Sequence, residues 1–129
     1  MNKIISIFIL ISVATISKAQ DIGHATFYGA KLNNRKTASG EIYSKDSLVC
    51  AHKTYPFGTL LKVRNMDNGK EVIVRVIDRG PFRKKFLIDL SHAAAKQLDM
   101  VRKGVAKVVI SEHKIVLQPI LFTDTVSSL

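Results

Sequence analysis

Ala51-His52-Lys53-Thr54-Tyr55-Pro56-Phe57-Gly58-Thr59 and Val76-Ile77-Asp78-Arg79-Gly80-Pro81-Phe82 are the two stretches on which the reading of this chain turns. Each joins a proton-active side chain to the Pro and Gly punctuation of a tight turn. The second leaves a run in which Val72, Val74 and Val76 alternate with other residues, the pattern of a strand with one buried face. Asp78 is therefore expected at the end of a strand, held by the turn that follows.

Working outward, Leu61 and Val63 alternate with Lys62 and Arg64, and Asn68-Gly69 separates them from the valine run. An Asn-Gly pair accepts positive φ, so these two strands are predicted to form a hairpin. Gly23 to Tyr28 reads as a first strand, with Ala25 and Phe27 alternating against His24, Thr26 and Tyr28. Residues 29–41 are rich in Gly, Asn, Lys and Ser without apolar periodicity, which predicts a long surface loop of the kind that carries function. Phe86-Leu87-Ile88 predicts a short strand, Asp89 or Ser91 can cap a helix running to about Leu98, and Ala106 to Ser111 predicts the last strand. Many short strands with one helix indicate a mainly β small barrel rather than a parallel α/β sheet.

The chain of 129 residues has 20 Lys and Arg against 10 Asp and Glu, a formal net charge of +10. Such a balance favours polyanionic surroundings, which peptidoglycan and nucleic acid both provide, and a merely solvated basic surface is the alternative. Met1-Asn2-Lys3, the apolar run from Ile4 to about Ile16, and Ser17-Lys18-Ala19 form the charged, apolar and small-x-small parts of a secretory signal. The run is too short for a membrane span. Cys50 is the only cysteine, so no intramolecular disulfide can form. Cys50-x-His52 is too small a set to indicate a metal, and a buried thiol is the expected role.

Three proton-active residues stand out. Asp78 can give a proton to a departing oxygen, although Asp is also common at the first position of a β-turn. Glu41 follows Ser39-Gly40 at the end of the long loop, and His52 can titrate near neutrality or donate a hydrogen bond to a sugar or to Glu41. Tyr28, Tyr43 and Tyr55 can stack on pyranose faces, while Asn33, Asn34, Arg35 and Lys36 can bond to glycan or to peptide carboxylates. Tyr55 and Phe57, beside Pro56, can equally buttress a barrel, the preferred reading for Phe57.

Taken with Thr37-Ala38-Ser39-Gly40-Glu41, the two opening stretches closely resemble the core signature of the rare lipoprotein A family, bacterial lytic transglycosylases built on a double-psi β-barrel. The resemblance runs from about Gly23 to about Ser111. It implies a single six-stranded double-psi β-barrel with one or two short helices over residues 20–115, after a signal peptide at 1–19 and before a tail at 116–129. It also implies that Glu41, His52 and Asp78 share one cleft, with Asp78 as general acid and later base and the other two tuning it or orienting the sugar. Thr37, Ser39, Lys53 and Arg79 complete the implied substrate-binding set, and neither a cofactor nor a metal is expected.

The implied partner is the glycan strand of peptidoglycan, cut at its MurNAc-GlcNAc β-1,4 bond to leave 1,6-anhydro-MurNAc ends; nucleic acid is not an expected partner. An expansin-like or barwin-like glycan-binding module is the alternative. No cysteine lies near the expected cut, so no stable membrane anchor is expected. A monomer in the periplasm or cell envelope, or secreted, follows from the same reading. No counterpart of the separate C-terminal unit of many family members is expected after the barrel signature, so septal targeting is not carried over. Mass spectrometry of protein from its native host should find Gln20 as the first residue; a mature chain still beginning at Met1 would overturn the export reading.

Overall fold

Six strands close into a barrel in the computed structural model, which describes residues 19–117. They are β1 (Gln20–Phe27), β2 (Val49–His52), β3 (Leu60–Asn65), β4 (Glu71–Asp78), β5 (Phe86–Leu90) and β6 (Ala106–Glu112), and one helix, α1 (His92–Gln97), lies between β5 and β6. The order around the barrel is β1, β5, β2, β4, β3, β6. Two pairs are parallel, β1 with β5 and β2 with β4; every other neighbour is antiparallel. Parallel neighbours cannot be joined by a tight hairpin, so the chain must cross the barrel ends, and long connections gather there.

The expected hairpin forms, with Leu61 opposite Val74 and Val63 opposite Val72. Gly69 supplies a φ of +74° at its turn. The alternating valines point inward with Leu61, Val63, Ile88, Leu90, Val108 and Ile110, all buried in one core. Helix α1 starts at Ser91, whose hydroxyl accepts a hydrogen bond from the Ala94 N–H at 3.3 Å. Of the two residues expected to cap it, Asp89 instead belongs to β5. Ala94 and Ala95 face the barrel, where small side chains permit close approach.

Strand β2 is absent from the sequence reading. It has only four residues, all buried, so no polar-apolar alternation marks it. The expected long loop contains one 3-10 turn, Ala30–Leu32, and an isolated bridge between Lys36 and Ile42. Cys50 is fully buried, and burial pushes its thiol up to about 12. The expected secretory signal, apart from Ala19, lies outside the described residues, as does the tail from 118 onward. Ile115, Val116 and Leu117 are exposed and belong to no strand. No helix among the described residues is long and apolar enough to cross a membrane.

Leu61 is fully buried at the centre of the hairpin face. Its replacement by Ala should cost about 2–5 kcal/mol through lost burial and a residual cavity. Urea unfolding should show a lower midpoint with an unchanged slope; an unchanged midpoint would contradict this packing.

Candidate active site

Strand register brings together residues that are far apart in the chain. Ala51 on β2 is paired on one side with Asp78 of β4 and on the other with Asp89 of β5, and Asp89 is in turn opposite Thr26 of β1. The order across four strands is Thr26, Asp89, Ala51, Asp78. Two strand spacings put the aspartate Cα atoms about 10 Å apart. The residue between them, Ala51, has only a methyl side chain and is buried.

Asp78 accepts three hydrogen bonds. The Tyr28 hydroxyl donates to Oδ2 at 2.6 Å, and the N–H groups of Ala38 and Arg79 donate to Oδ1 at 2.9 Å each. Burial, then the bond to Asp78, pushes the Tyr28 phenol far above its usual range, so it stays a donor. The Tyr28 ring leans on Tyr43 with centroids 4.6 Å apart. Tyr43 is only 2% exposed, which corrects the expectation that it stacks on sugar: its ring supports Tyr28, and its hydroxyl accepts from the His92 N–H at 3.2 Å.

The Thr37–Glu41 turn is fastened onto β4. Ser39 N–H donates to Ile77 O at 3.2 Å, and the Arg75 guanidinium grips both Glu41 carboxylate oxygens at 2.6 Å. Gly40 makes the reversal possible with a φ of +89°. Thr37 uses its hydroxyl within the turn, donating to Glu41 O at 2.6 Å, and its oxygen lies 3.1 Å from that of Ser39. Hydrogen bonding from Arg75 holds the Glu41 carboxyl below its usual range. Glu41 is thus an ionised clamp that fixes the loop whose Ala38 N–H reaches Asp78.

His52 does not reach Glu41, which is committed to Arg75. Its Nδ1 accepts from the N–H groups of Thr54 and Tyr55 at 3.1 Å each, and its ring packs on Tyr55 with centroids 4.7 Å apart. An accepting Nδ1 places the proton of the neutral ring on Nε2, which is buried and has no partner among the described residues. Burial holds its pKa below the usual histidine value. Tyr55 therefore serves as a buttress. Phe57, expected in that role, is 44% exposed and carries the Arg79 guanidinium 4.0 Å above its ring.

Arg79, named in the implied substrate-binding set, meets the Asp78 carboxylate through its backbone. Its Nη1 donates to the carbonyls of Tyr55 at 2.9 Å and His52 at 3.2 Å, tying the two turns together. Lys53 donates to Arg83 O at 3.2 Å. Asn34, Arg35 and Lys36 are exposed on the loop, whereas Asn33 accepts from Lys45 N–H at 3.0 Å and braces it.

Asp89 escaped the sequence reading as a site residue. It lines a cavity of about 480 Å³ with Thr26, Arg79, Phe82 and Arg83. The Thr26 hydroxyl donates to its Oδ1. Burial pushes its pKa up, opposed by the Thr26 bond and reinforced by the charge of Asp78. The available signal was a carboxylate inside the otherwise apolar run Phe86-Leu87-Ile88-Asp89-Leu90. A second hollow of about 310 Å³ is lined by Tyr28 with Phe27, Tyr43, Lys45 and His92. A larger one, about 690 Å³, is formed by Lys96, Asp99, Val101, Arg102 and Lys103, away from both aspartates of the row.

The lytic transglycolase family model matches residues 20–110. The probable endolytic peptidoglycan transglycosylase RlpA of Treponema pallidum is 51% identical over 92 residues, covering 71% of this chain and 28% of the relative. The endolytic peptidoglycan transglycosylase RlpA of Campylobacter jejuni is 45% identical over 97 residues, covering 75% and 35%. The chain thus spans about a third of the length of these relatives. Among solved structures, a Streptomyces papain inhibitor matches with a TM-score of 0.61 at 24% identity, covering 74% of this chain and 96% of that one. An apo expansin of Clavibacter michiganensis matches with a TM-score of 0.61 at 22% identity, covering 78% and 54%. At that identity these two likenesses speak for the fold alone. The matched residues, the closed barrel and the RlpA relatives agree: this chain belongs to the lytic transglycolase family, as an RlpA-like double-psi β-barrel.

Proposed function

We propose that this chain is an exported lytic transglycosylase that cuts the MurNAc-GlcNAc β-1,4 bond of peptidoglycan glycan strands. The observation that carries the reading is the strand register that sets Asp78 and Asp89 on either side of Ala51 in one row, with Asp89 lining a cavity of about 480 Å³. Two carboxyl groups in different environments can divide acid and base work. Asp89, whose pKa burial raises, is the group that gives a proton to the glycosidic oxygen as the bond to C1 breaks. The muramic C6 hydroxyl closes onto C1, and its proton passes to the Asp78 carboxylate, which its three donors orient as an acceptor. Both carboxyls then return to their starting states through solvent.

An intramolecular hydroxyl already lies near C1, so no separate water has to be positioned. Glu41 and His52 act in this scheme as positioning residues: one clamps the loop that reaches Asp78, the other shapes the turn bound by Arg79. Residues 20–115 are the working domain, acting as a monomer in the cell envelope. The RlpA relatives, named as peptidoglycan transglycosylases, support the choice of substrate.

Digestion of purified sacculi in heavy-oxygen water should release ends bearing 1,6-anhydro-MurNAc and no label. Labelled reducing ends would instead indicate a hydrolase, and binding without any new ends would favour an expansin-like module. Asp78→Asn and Asp89→Asn should each fold and lose activity on the order of a hundredfold or more. Near wild-type cutting by both variants would exclude this pair as the reacting groups.

The Thr26 hydroxyl favours the ionised form of Asp89, so removing it should raise the Asp89 pKa further. Activity that requires protonated Asp89 is lost as pH rises through that pKa. The alkaline limb of the pH-rate profile should therefore move to higher pH in Thr26→Val. A limb that stays in place or moves to lower pH would remove Asp89 from the proton-donor role.

A further inference from the structure

Phe82 stands in the wall of the Asp89 cavity with its ring unused by the protein. The neighbouring phenylalanines are engaged. Phe86 is buried, meets the His24 ring with centroids 6.4 Å apart, and has the Arg83 guanidinium carbon and the Lys85 Nζ 5.9 and 5.5 Å from its ring centre. Phe57 carries the Arg79 guanidinium. Phe82, by contrast, is 87% exposed, and its ring makes no aromatic or cation contact among the described residues. A ring left in water gives up the burial that normally stabilises a phenylalanine, so its place beside a titratable group calls for a reason.

The backbone sets that place. Gly80 and Pro81, both buried, lead into Phe82, and Gly80 has a φ of +129°, a conformation that residues with a side chain rarely adopt. A Cβ at Gly80 would lie 3.6 Å from Cε2 of the Phe82 ring and 3.9 Å from Asp89 Oδ2. The ring edge and the carboxyl therefore border the same small gap, which glycine leaves unfilled. Around it Thr26, Arg79 and Arg83 bring a hydroxyl and two guanidinium groups to the cavity.

A pyranose ring has faces of C–H bonds and a rim of polar substituents. An exposed aromatic face beside a polar wall matches both parts of such a molecule at once. A lipid chain would match the ring alone and strip water from the polar wall without replacing its hydrogen bonds. We propose that Phe82 is the stacking platform for the departing N-acetylglucosamine, the sugar that keeps the glycosidic oxygen when the bond to C1 breaks. This rests on the peptidoglycan reading above, in which Asp89 gives that oxygen its proton: the ring bearing the oxygen then lies at the gap that Asp89 shares with Phe82. The platform contributes affinity and sets the angle at which the oxygen meets the acid, while Asp78 and Asp89 remain the groups that move protons.

The chain has no tryptophan, so Phe82→Trp places a single indole fluorophore at the platform. Titration with chitohexaose, which consists of N-acetylglucosamine alone, should move its emission to shorter wavelength and saturate. Asp89→Asn/Phe82→Trp should respond in the same way, because stacking needs no proton transfer. Ile22→Trp, at an exposed position of β1 outside the cavity wall, should not respond. By calorimetry, Phe82→Ala should bind chitohexaose on the order of tenfold more weakly, and Phe82→Tyr should bind like the unaltered chain. Phe82→Leu keeps apolar area without a ring face and should resemble Phe82→Ala. An unresponsive Phe82→Trp, or a Phe82→Leu that binds as well as the unaltered chain, would overturn the platform. A response to glycan strands freed of peptide by an amidase, with none to chitohexaose, would put the muramic ring on Phe82 and overturn the assignment to N-acetylglucosamine. Failure of the unaltered chain to cut any strand, with the tryptophan response and the alanine loss intact, would reject the lytic reading and leave the platform standing.

Discussion

The Asp78 carboxylate accepts hydrogen bonds from its own turn and from two segments distant in sequence, and the geometry of the whole cleft depends on that convergence. Tyr28 arrives from the end of β1, Ala38 from the loop after it, and Arg79 from the turn that ends β4. Each donor is itself held in place. Tyr28 leans on buried Tyr43, the Ala38 turn is riveted to β4 by the Arg75-Glu41 pair, and Arg79 is locked by two carbonyls and the Phe57 ring. A carboxylate so surrounded has little rotational freedom left, which is the condition for reactivity at a defined point in space.

Placing a second carboxyl in the same row gives the site its chemical asymmetry. Asp78 faces a ring of donors, whereas Asp89 sits half-buried with one hydroxyl partner and a charged neighbour that disfavours its ionised form. The same residue type thus meets two environments within two strands.

Much of the barrel was legible because its strands have one buried and one solvated face. The hairpin of β3 and β4, the helix that starts at Ser91 and the last strand each show the period of their element directly. Strand β2 was not legible, since a run buried on all sides loses alternation. Asp78 and Glu41 could be singled out from turn chemistry and family resemblance, but the partners that define them could not. Arg75, which makes Glu41 a clamp, lies 34 positions away and reads as an ordinary strand residue. Tyr43 and Tyr28 look alike in sequence, yet one is buried and the other holds the central carboxylate.

By itself the sequence determined that this is a small, mainly β, basic domain with one cysteine, and that an acid ends a valine-rich strand at an Arg-Gly-Pro turn. These properties are local: side-chain volume, alternation and the dihedral demands of Gly and Pro act over a few residues and survive in the linear order. Only the tertiary structure decided that Asp89 joins Asp78, that Glu41 belongs to Arg75, and that His52 turns to its own loop. Those facts arise from strand register in a closed barrel with parallel pairs, where neighbours are set by how crossing connections pack. Nothing in the spacing of the residues encodes which side chains will share a row once the barrel closes.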